Sequence, residues 1–175
     1  MGGDYAPDVI IKGAISAVNE YNIEVMLVGD QVKINTLLAC HRYDSIRIKV
    51  HHAPDTIEMS EPAAASVRKK RQSSIVVGLN LVRDGQGDAF FSAGNTGAVV
   101  CAGILALGLL PGIERPGIAI VAPTLKGISL VIDVGANIDP KPLHLLQYGI
   151  MGCAYARYIL KKINRQTKLS YFFCL

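Results

Sequence analysis

The chain has 175 residues, of which 50% are hydrophobic and 18% charged, with a formal net charge of +4. So apolar and weakly charged a composition excludes an intrinsically disordered chain. Five of the 18 Lys and Arg residues lie after residue 156, whereas all 14 acids lie before it, so residues 1–156 carry 13 basic and 14 acidic groups. The body of the chain is nearly neutral, and we expect no nucleic-acid partner.

The first part of the chain predicts helices that alternate with strands. Apolar residues at helical spacing predict a helix over residues 7–21, and a buried strand follows over 24–28. Asp30 can cap a second helix over 32–42, after which apolar and polar residues alternate over 46–50 as in a second strand. This alternation is typical of an α/β fold.

The middle of the chain predicts further helices joined by one short strand. In order, we expect a helix over 60–71 with a basic end, a helix over 75–83 capped by Ser73 or Ser74, a strand over 88–91, a loop over 92–97 and a buried helix from Ala98. The apolar run over 98–110 is shorter than the roughly 20 residues that span a bilayer. A membrane span is therefore not expected.

The last part predicts two strands and a long helix. Residues 118–122 and 129–133 are nearly continuous apolar runs, a pattern typical of strands covered on both faces. Pro142 opens a helix that runs to about residue 162. The predicted fold class is α/β, layered, with a mainly parallel sheet.

Several classes of protein are disfavoured by missing patterns. The opening residues lack the basic and apolar regions of a signal peptide, so we expect a cytoplasmic protein. The sequence contains no dinucleotide fingerprint, no Walker loop, no nucleophile elbow and no zinc-protease motif. The cysteines and histidines show neither metal-ligand spacing nor a catalytic triad, so we expect no metal and no disulfide framework; they are Cys40, Cys101, Cys153, Cys174, His41, His51, His52 and His144.

The strongest candidate site is the loop over residues 92–97. It leaves a predicted strand, turns through two glycines and enters a helix, so backbone N–H groups and the positive helix end can bind phosphate or an oxyanion. Ser92, Asn95 and Thr96 add side-chain donors. The alternative is a tight turn in which Asn95 only caps the helix.

Three other segments are weaker candidates. Asp133 ends a predicted strand and could act as a base or an orienting carboxylate, or simply bond neighbouring N–H groups. Residues 1–4 resemble a third loop at the end of a strand, although no strand precedes them in the sequence. The basic run over 68–71 could bind phosphate or an acidic partner, although such runs are often only a solvated face. Spacing alone predicts an α/β domain that binds a small anion.

Taken together, these segments resemble the PlsX family, the phosphate acyltransferases of bacterial phospholipid synthesis. The matching segments are Met1-Gly2-Gly3-Asp4 with Ala6-Pro7, Ile57-Glu58-Met59, Val67-Arg68-Lys69-Lys70 with Ser73-Ser74, Asp88-Ala89-Phe90 leading into Ser92 to Ala98, Arg115-Pro116, Asp133 to Asn137 with Lys141-Pro142, His144-Leu145-Leu146-Gln147, and Ile150-Met151-Gly152. They follow one another in order from residue 1 to about residue 164.

The resemblance implies a reaction in which inorganic phosphate attacks the thioester of a fatty acyl group on acyl carrier protein, giving acyl phosphate and free carrier. No cofactor is implied, because phosphate is itself the nucleophile. The resemblance also implies a cytoplasmic homodimer with possible peripheral membrane association. The implied fold is a three-layer, Rossmann-like sandwich related to phosphotransacetylases and to isocitrate and isopropylmalate dehydrogenases.

The resemblance, read with the loop chemistry, also gives a set of expected site residues. The expected catalytic residues are Asn95, Asp133 and Lys70. The residues expected to bind phosphate or substrate are Gly3, Asp4, Arg68, Ser92, Gly94, Thr96, Gly97 and Asn137.

The sequence departs from the family at both ends. The short strand that normally precedes the first Gly-Gly-Asp loop is absent, and family members are about twice as long. We therefore expect residues 1–164 to form the N-terminal part of a single α/β acyltransferase domain and 165–175 an atypical tail, as in a truncated or frameshifted gene. Two alternatives stay open: a phosphotransacetylase-like enzyme that uses acyl-coenzyme A, and a non-catalytic remnant.

Overall fold

The computed structural model describes residues 1–125, 127–135 and 139–161, which fall into two compact units. In the first unit, Met1–Gly108, the elements are α1 (Asp8–Glu20), β1 (Val25–Gly29), α2 (Gln31–Leu38), β2 (Ile48–His52), α3 (Ala63–Lys69), α4 (Ser74–Arg83) and α5 (Thr96–Leu107). In the second, which begins at Leu109, they are β3 (Ala119–Thr124), β4 (Gly127–Ile132) and α6 (Pro142–Tyr158). The predicted α/β class is confirmed, and the predicted tail over 165–175 lies outside the described residues.

The first half of the first unit is built around a pair of parallel strands. β1 and β2 pair in parallel from Val25 opposite Ile48 to Gly29 opposite His52. One apolar cluster joins the pair to α1 and α2; its buried members are Ile11, Val18, Leu27, Ile34, Leu38 and Ile48. The Asp30 side chain accepts hydrogen bonds from the N–H groups of Val32 and Lys33, so the predicted cap of α2 is confirmed.

A second apolar cluster holds α3, α4 and α5 together. Its buried members are Ile57, Val67, Ile75, Leu79, Ala98 and Ala102. The α5 residues in this cluster are alanines, and small side chains let neighbouring helix backbones approach closely. Ser73 accepts a hydrogen bond from the N–H of Val76, which confirms one of the two predicted caps of α4.

The strand predicted over residues 88–91 is wrong, because this segment has no strand partner. Its position is fixed by side-chain packing instead, since the Phe90 ring lies directly against the backbone of Gly78 in α4. Phe91 is 86% exposed. The partly buried Phe90 ring thus anchors this segment by packing against α4.

The second unit contains a hairpin where two covered parallel strands were expected. β3 and β4 are antiparallel from Ala119 opposite Ile132 to Thr124 opposite Gly127, and the connection between them is far too short for a parallel crossover. Ile120 and Val131 are more than 40% exposed, so the hairpin is not covered on both faces. The expectation of a mainly parallel sheet therefore holds only for β1 and β2.

The helix expected to be buried from Ala98 is covered on one side only. Ala98 and Ala102 are buried, whereas Leu105 is 68% exposed. The helices predicted over 7–21, 32–42 and 60–71 are shorter than expected, whereas the one predicted over 75–83 begins one residue earlier, and such differences at helix ends are common. Among the described residues, no helix is both long enough and apolar enough to cross a membrane.

Two glycine substitutions test the packing of the first unit. A Cβ at Gly78 would overlap the Phe90 ring, so Gly78→Ala should lower the free energy of unfolding by about 1–3 kcal/mol through overpacking. Gly13→Ala in α1 is the matched control, because a Cβ there meets no atom within 4 Å and should raise that free energy by about 0.5–1 kcal/mol. Urea unfolding of both variants measures the difference, and equal effects would contradict the packing described.

Candidate functional site

Three loops lie together in the first unit, and each contains residues that were named in the sequence analysis. They are the N-terminal loop (residues 1–4), the 57–61 loop and the 92–97 loop. A Cβ at Gly3 would lie 2.9 Å from the carbonyl oxygen of Ala93, and one at Gly2 would overlap the carbonyl oxygen of Ile57. Only glycine permits backbones to approach this closely. The two glycines therefore place the N-terminal loop against both of the other loops.

Asn95 connects the 92–97 loop to the 57–61 loop. Its side-chain Oδ1 accepts a 2.9 Å hydrogen bond from the N–H of Ala98, so it caps α5. Its Nδ2 donates to the carbonyl oxygens of Glu58, Met59 and Glu61 at 3.0–3.2 Å. The side chain is buried, with 7% exposure. The predicted cap is thus confirmed, and both ends of the amide bind the protein itself.

The 92–97 loop presents the N-terminal end of α5. The Ser92 hydroxyl accepts a 3.1 Å hydrogen bond from the N–H of Gly94, which closes a tight turn. A Cβ at Gly97 would lie 3.0 Å from the Cβ of Ala63, so this glycine lets α5 approach α3. Thr96 is exposed at the first position of the helix, where backbone N–H groups have no intrahelical partner. The groups best placed for an anion are therefore these N–H groups and the Thr96 hydroxyl.

Lys70 and Glu61 form an ion pair beside these loops. Lys70, at the end of α3, donates from Nζ to Oε1 of Glu61 at 2.5 Å and to the carbonyl oxygen of Thr56 at 2.7 Å. The Glu61 carboxylate also accepts from the N–H of Glu58 at 3.0 Å and from the hydroxyl of Ser66 at 2.8 Å. The sequence reasoning missed Glu61, although an acid just before the first turn of a helix is a usable signal.

These contacts fix the charge of Glu61. The hydrogen bond from the Glu58 N–H, followed by those from Lys70 and Ser66, lowers the pKa of Glu61 from 4.5 to about 2. The carboxylate is therefore ionised at neutral pH. It balances the Lys70 ammonium, which has only one N–H left for another acceptor.

Two other predicted site residues of this unit lie on its surface. Arg68 and Asp4 are exposed, and so are Lys69 and Arg71 next to Arg68. The structure shows no ion pair of Arg68 with any residue of the described ranges. The end of α3 is therefore a basic surface open to solvent, which agrees with both alternatives weighed for this run.

Asp133 belongs to the second unit, at the end of β4. Its N–H donates to the carbonyl oxygen of Ile118 at 2.8 Å, and its φ of 64° is in the left-handed region, which L-residues rarely adopt. Such backbone strain is found often at functional positions. Asn137, the other candidate in this part of the chain, lies outside the described residues.

His144 and Gln147 of α6 have a structural role in the second unit. The Nδ1 atom of His144 accepts from the N–H of Lys141 at 3.1 Å, so the Nε2 atom carries the proton that faces Glu114 at 3.1 Å. Gln147 accepts from the N–H of Glu114 and donates to the carbonyl oxygen of Gly112. Both side chains are buried, and together they fasten the 112–114 segment to the helix.

The described residues show no group of three or more His, Cys, Asp or Glu side chains that could hold a metal ion. Cys40, Cys101 and Cys153 form no disulfide with one another, and Cys174 lies outside the described ranges.

The low pKa of Glu61 predicts a specific loss of stability in acid. Because the pKa is about 2 in the folded chain against 4.5 for an unperturbed carboxyl, ionised Glu61 stabilises the fold fully above about pH 4.5, and this contribution is lost as the pH falls towards 2. Glu61→Gln should lower the urea midpoint at pH 7 and make the fall in midpoint between about pH 5 and about pH 2 shallower. Glu58→Gln, an exposed neighbour, is the control and should keep the original slope. A Glu61→Gln profile parallel to that of the unmodified chain would contradict the prediction.

Comparison with known proteins agrees with the resemblance drawn from the motifs. The family described as fatty acid synthesis protein matches residues 1–170. The chain is 47% identical over 160 residues to a phosphate acyltransferase of Geobacter sulfurreducens, a match that covers 91% of this chain and 46% of that relative. It is 48% identical over 169 residues to a phosphate acyltransferase of Desulfitobacterium hafniense, covering 97% of this chain and 50% of the relative.

The chain spans about half the length of the curated relatives it matches. The match includes all the segments that converge in the first unit as well as the residues around Asp133, since it covers nearly the whole sequence. On this evidence the chain belongs to the fatty acid synthesis protein family.

Proposed function

We propose that the full-length protein that this chain represents transfers a fatty acyl group from acyl carrier protein to inorganic phosphate. The proposal is carried by the 46–48% identity to relatives named phosphate acyltransferase. In the reaction, a phosphate oxygen attacks the thioester carbonyl carbon, a C–O bond forms and the C–S bond breaks. The carrier leaves as a thiol after taking up a proton, and the other product is acyl phosphate.

The first turn of α5 is the proposed phosphate site. A helix N-terminus offers N–H donors and a positive partial charge, both of which suit a phosphate dianion. Thr96 and Ser92 add hydroxyl groups in the same loop. Gly97 lets this first turn lie close to Ala63 of α3, which supports it from the side. Because phosphate is already a nucleophile, the protein needs chiefly to orient it and to stabilise the oxyanion.

Asn95 and Lys70 support this site through the loops that they hold. Asn95 ties the start of α5 to three carbonyl groups of the 57–61 loop, so removing its amide would release the loop that presents the donors. Lys70 has one N–H left for a phosphate oxygen. Lys70 remains a proposed catalytic residue, whereas the proposed role of Asn95 is to position the loop, because both ends of its amide bind the protein.

The remaining predicted residues keep their proposed roles. Gly3 and Asp4 belong to the loop that packs on Ala93, and we propose that Asp4 faces substrate. The exposed Arg68 is proposed to meet phosphate or the acidic carrier protein, since opposite charges steer such encounters. In the second unit, Asp133 and Asn137 remain proposed substrate-binding or catalytic residues.

The proposal extends to fold and assembly. For the full-length protein we propose a three-layer, Rossmann-like sandwich related to phosphotransacetylases and to isocitrate and isopropylmalate dehydrogenases. The parallel pair β1–β2 with its two helices is consistent with such a sheet. A cytoplasmic homodimer that associates peripherally with membrane remains part of the proposal.

A second candidate differs in the acyl donor. The printed names of the relatives specify phosphate and acyl transfer but no donor. A phosphotransacetylase-like enzyme would use acyl-coenzyme A in place of acyl carrier protein. Comparing the two thioesters of the same fatty acid separates the candidates, because our proposal expects the carrier-bound substrate to be strongly preferred.

The central test is phosphate-dependent release of the carrier thiol. It uses a full-length chimera in which this chain replaces the matched half of the Geobacter sulfurreducens relative. Asn95→Ala should lower the rate by about 100-fold, because a 1 Å displacement of positioning groups costs about that much. Asn35→Ala, at an exposed position of α2, is the control and should leave the rate unchanged. A chimera that makes no acyl phosphate would refute the function, and an unaffected Asn95→Ala variant would refute the role of the loop.

Thermal melting of the chain by itself tests whether the chain is a remnant that fails to fold. A ligand present at about 100 times its Kd stabilises the folded state by about 2.7 kcal/mol, so phosphate should raise the melting temperature by several degrees. Sodium chloride at equal ionic strength is the control. The absence of a cooperative transition, with or without phosphate, would favour the remnant instead.

A further inference from the structure

We propose that Glu61 is a positioning residue for the phosphate-binding loop, acting through Lys70 and Asn95 without touching phosphate itself. The inference rests on the proposed function, because it concerns how the 92–97 loop is held for its anion. None of the sequence patterns pointed to this residue. The contacts of its side chain and of its backbone indicate this role.

Glu61 joins parts of the chain that would otherwise be independent. Its carboxylate binds Lys70 at the end of α3 and Ser66 within α3. It also accepts from the N–H of Glu58, which closes the 57–61 loop on itself. On its other side, its backbone carbonyl oxygen lies 3.0 Å from Nδ2 of Asn95. The carboxylate therefore sets the shape of the loop whose carbonyl groups hold the cap of α5.

The shape of the loop matters because Asn95 depends on three of its carbonyl groups at once. The oxygens of Glu58, Met59 and Glu61 converge on one amide nitrogen, which has only two hydrogens to donate. Opening the loop would separate these acceptors and turn the Asn95 side chain. The other end of the same amide caps Ala98, so the first turn of α5 would move with it.

The charge of Glu61 matters for a second reason. An unpaired carboxylate beside the proposed site would repel phosphate, and Lys70 neutralises it. The side chains of both residues are less than one-third exposed, so solvent screens the pair only in part. Removing the lysine alone should therefore weaken phosphate binding more than removing both charges.

The effects of the variants on phosphate binding should follow an order that a purely structural role would not produce. In the full-length chimera, Lys70→Met should raise the KM for phosphate about tenfold or more, because the carboxylate is left uncompensated. Glu61→Gln should raise it by a smaller factor. The double variant Glu61→Gln/Lys70→Met should bind phosphate better than Lys70→Met alone. The KM for the acyl donor should change less than twofold in all three variants.

Matched controls are available in the first unit. Glu58→Gln removes an exposed carboxylate from the 57–61 loop, and Arg42→Met removes an exposed cation that follows α2. Neither residue has an assigned side-chain role at the site, so both variants should keep the original KM for phosphate. Melting temperatures of all variants are measured in parallel, so that loss of folding is seen directly.

Equilibrium binding of inorganic phosphate to this chain, followed by calorimetry, is measured alongside turnover. If the chimera transfers no acyl group but the chain binds phosphate in the predicted order, only the proposed function fails. If the variants lower the melting temperature and leave both the KM and the Kd for phosphate unchanged, Glu61 is merely structural and the inference is overturned. It is also overturned if the unmodified chain binds no phosphate, or if the double variant binds no better than Lys70→Met.

Discussion

The organisation of the first unit depends on one side-chain amide. The Nδ2 of Asn95 binds three carbonyl groups of the 57–61 loop, while Oδ1 caps the helix that follows. These hydrogen bonds hold the loop against the start of α5. The nearby carboxylate of Glu61 then holds the loop closed. In many α/β proteins a continuous sheet holds such loops in place. Here a short-range network of neutral and charged hydrogen bonds holds them.

Charge is arranged differently on the two sides of this network. The basic side chains that end α3 point into solvent, whereas Lys70 turns back to meet Glu61 and the carbonyl oxygen of Thr56. The outer cations can attract an anionic substrate or partner from a distance. The ion pair of Lys70 and Glu61 contributes almost no net charge. The N-terminal end of α5 and the hydroxyl groups of its loop therefore provide the local attraction for an anion. The nearly neutral body of the sequence agrees with so local a use of charge.

The sequence predicted those parts of the fold that depend on local signals. Caps such as Asp30 and Ser73 require only a side chain and the next turn of helix, and both were found. The strand expected over 88–91 failed because Phe90 is held by a tertiary contact with Gly78 that no local pattern encodes. The β3–β4 pair was misjudged because apolar runs predict burial, whereas the short connection between the strands decides their direction.

In the candidate site, too, local signals were predictable from the sequence and tertiary contacts were not. The closeness of the N-terminal, 57–61 and 92–97 loops was not derivable from spacing, since it depends on backbone contacts at Gly2 and Gly3. Glu61 was missed because its importance comes from partners that are five and nine residues away across a helix. From the sequence, helix capping by Asn95 could be stated only as one of two alternatives, because the same residue types cap helices and donate hydrogen bonds to ligands.

The two glycines of the N-terminal loop have a consequence for how mutational data on this family are interpreted. Each faces a carbonyl oxygen at a distance that no Cβ can adopt. In a saturation library, positions 2 and 3 should therefore tolerate glycine alone, as strictly as a catalytic position would. Their intolerance would come entirely from the distance between backbones. If every intolerant position were taken to be catalytic, Gly2 and Gly3 would be counted wrongly among the catalytic residues. Thr96 has space for other side chains, so the importance of its hydroxyl group would be underestimated.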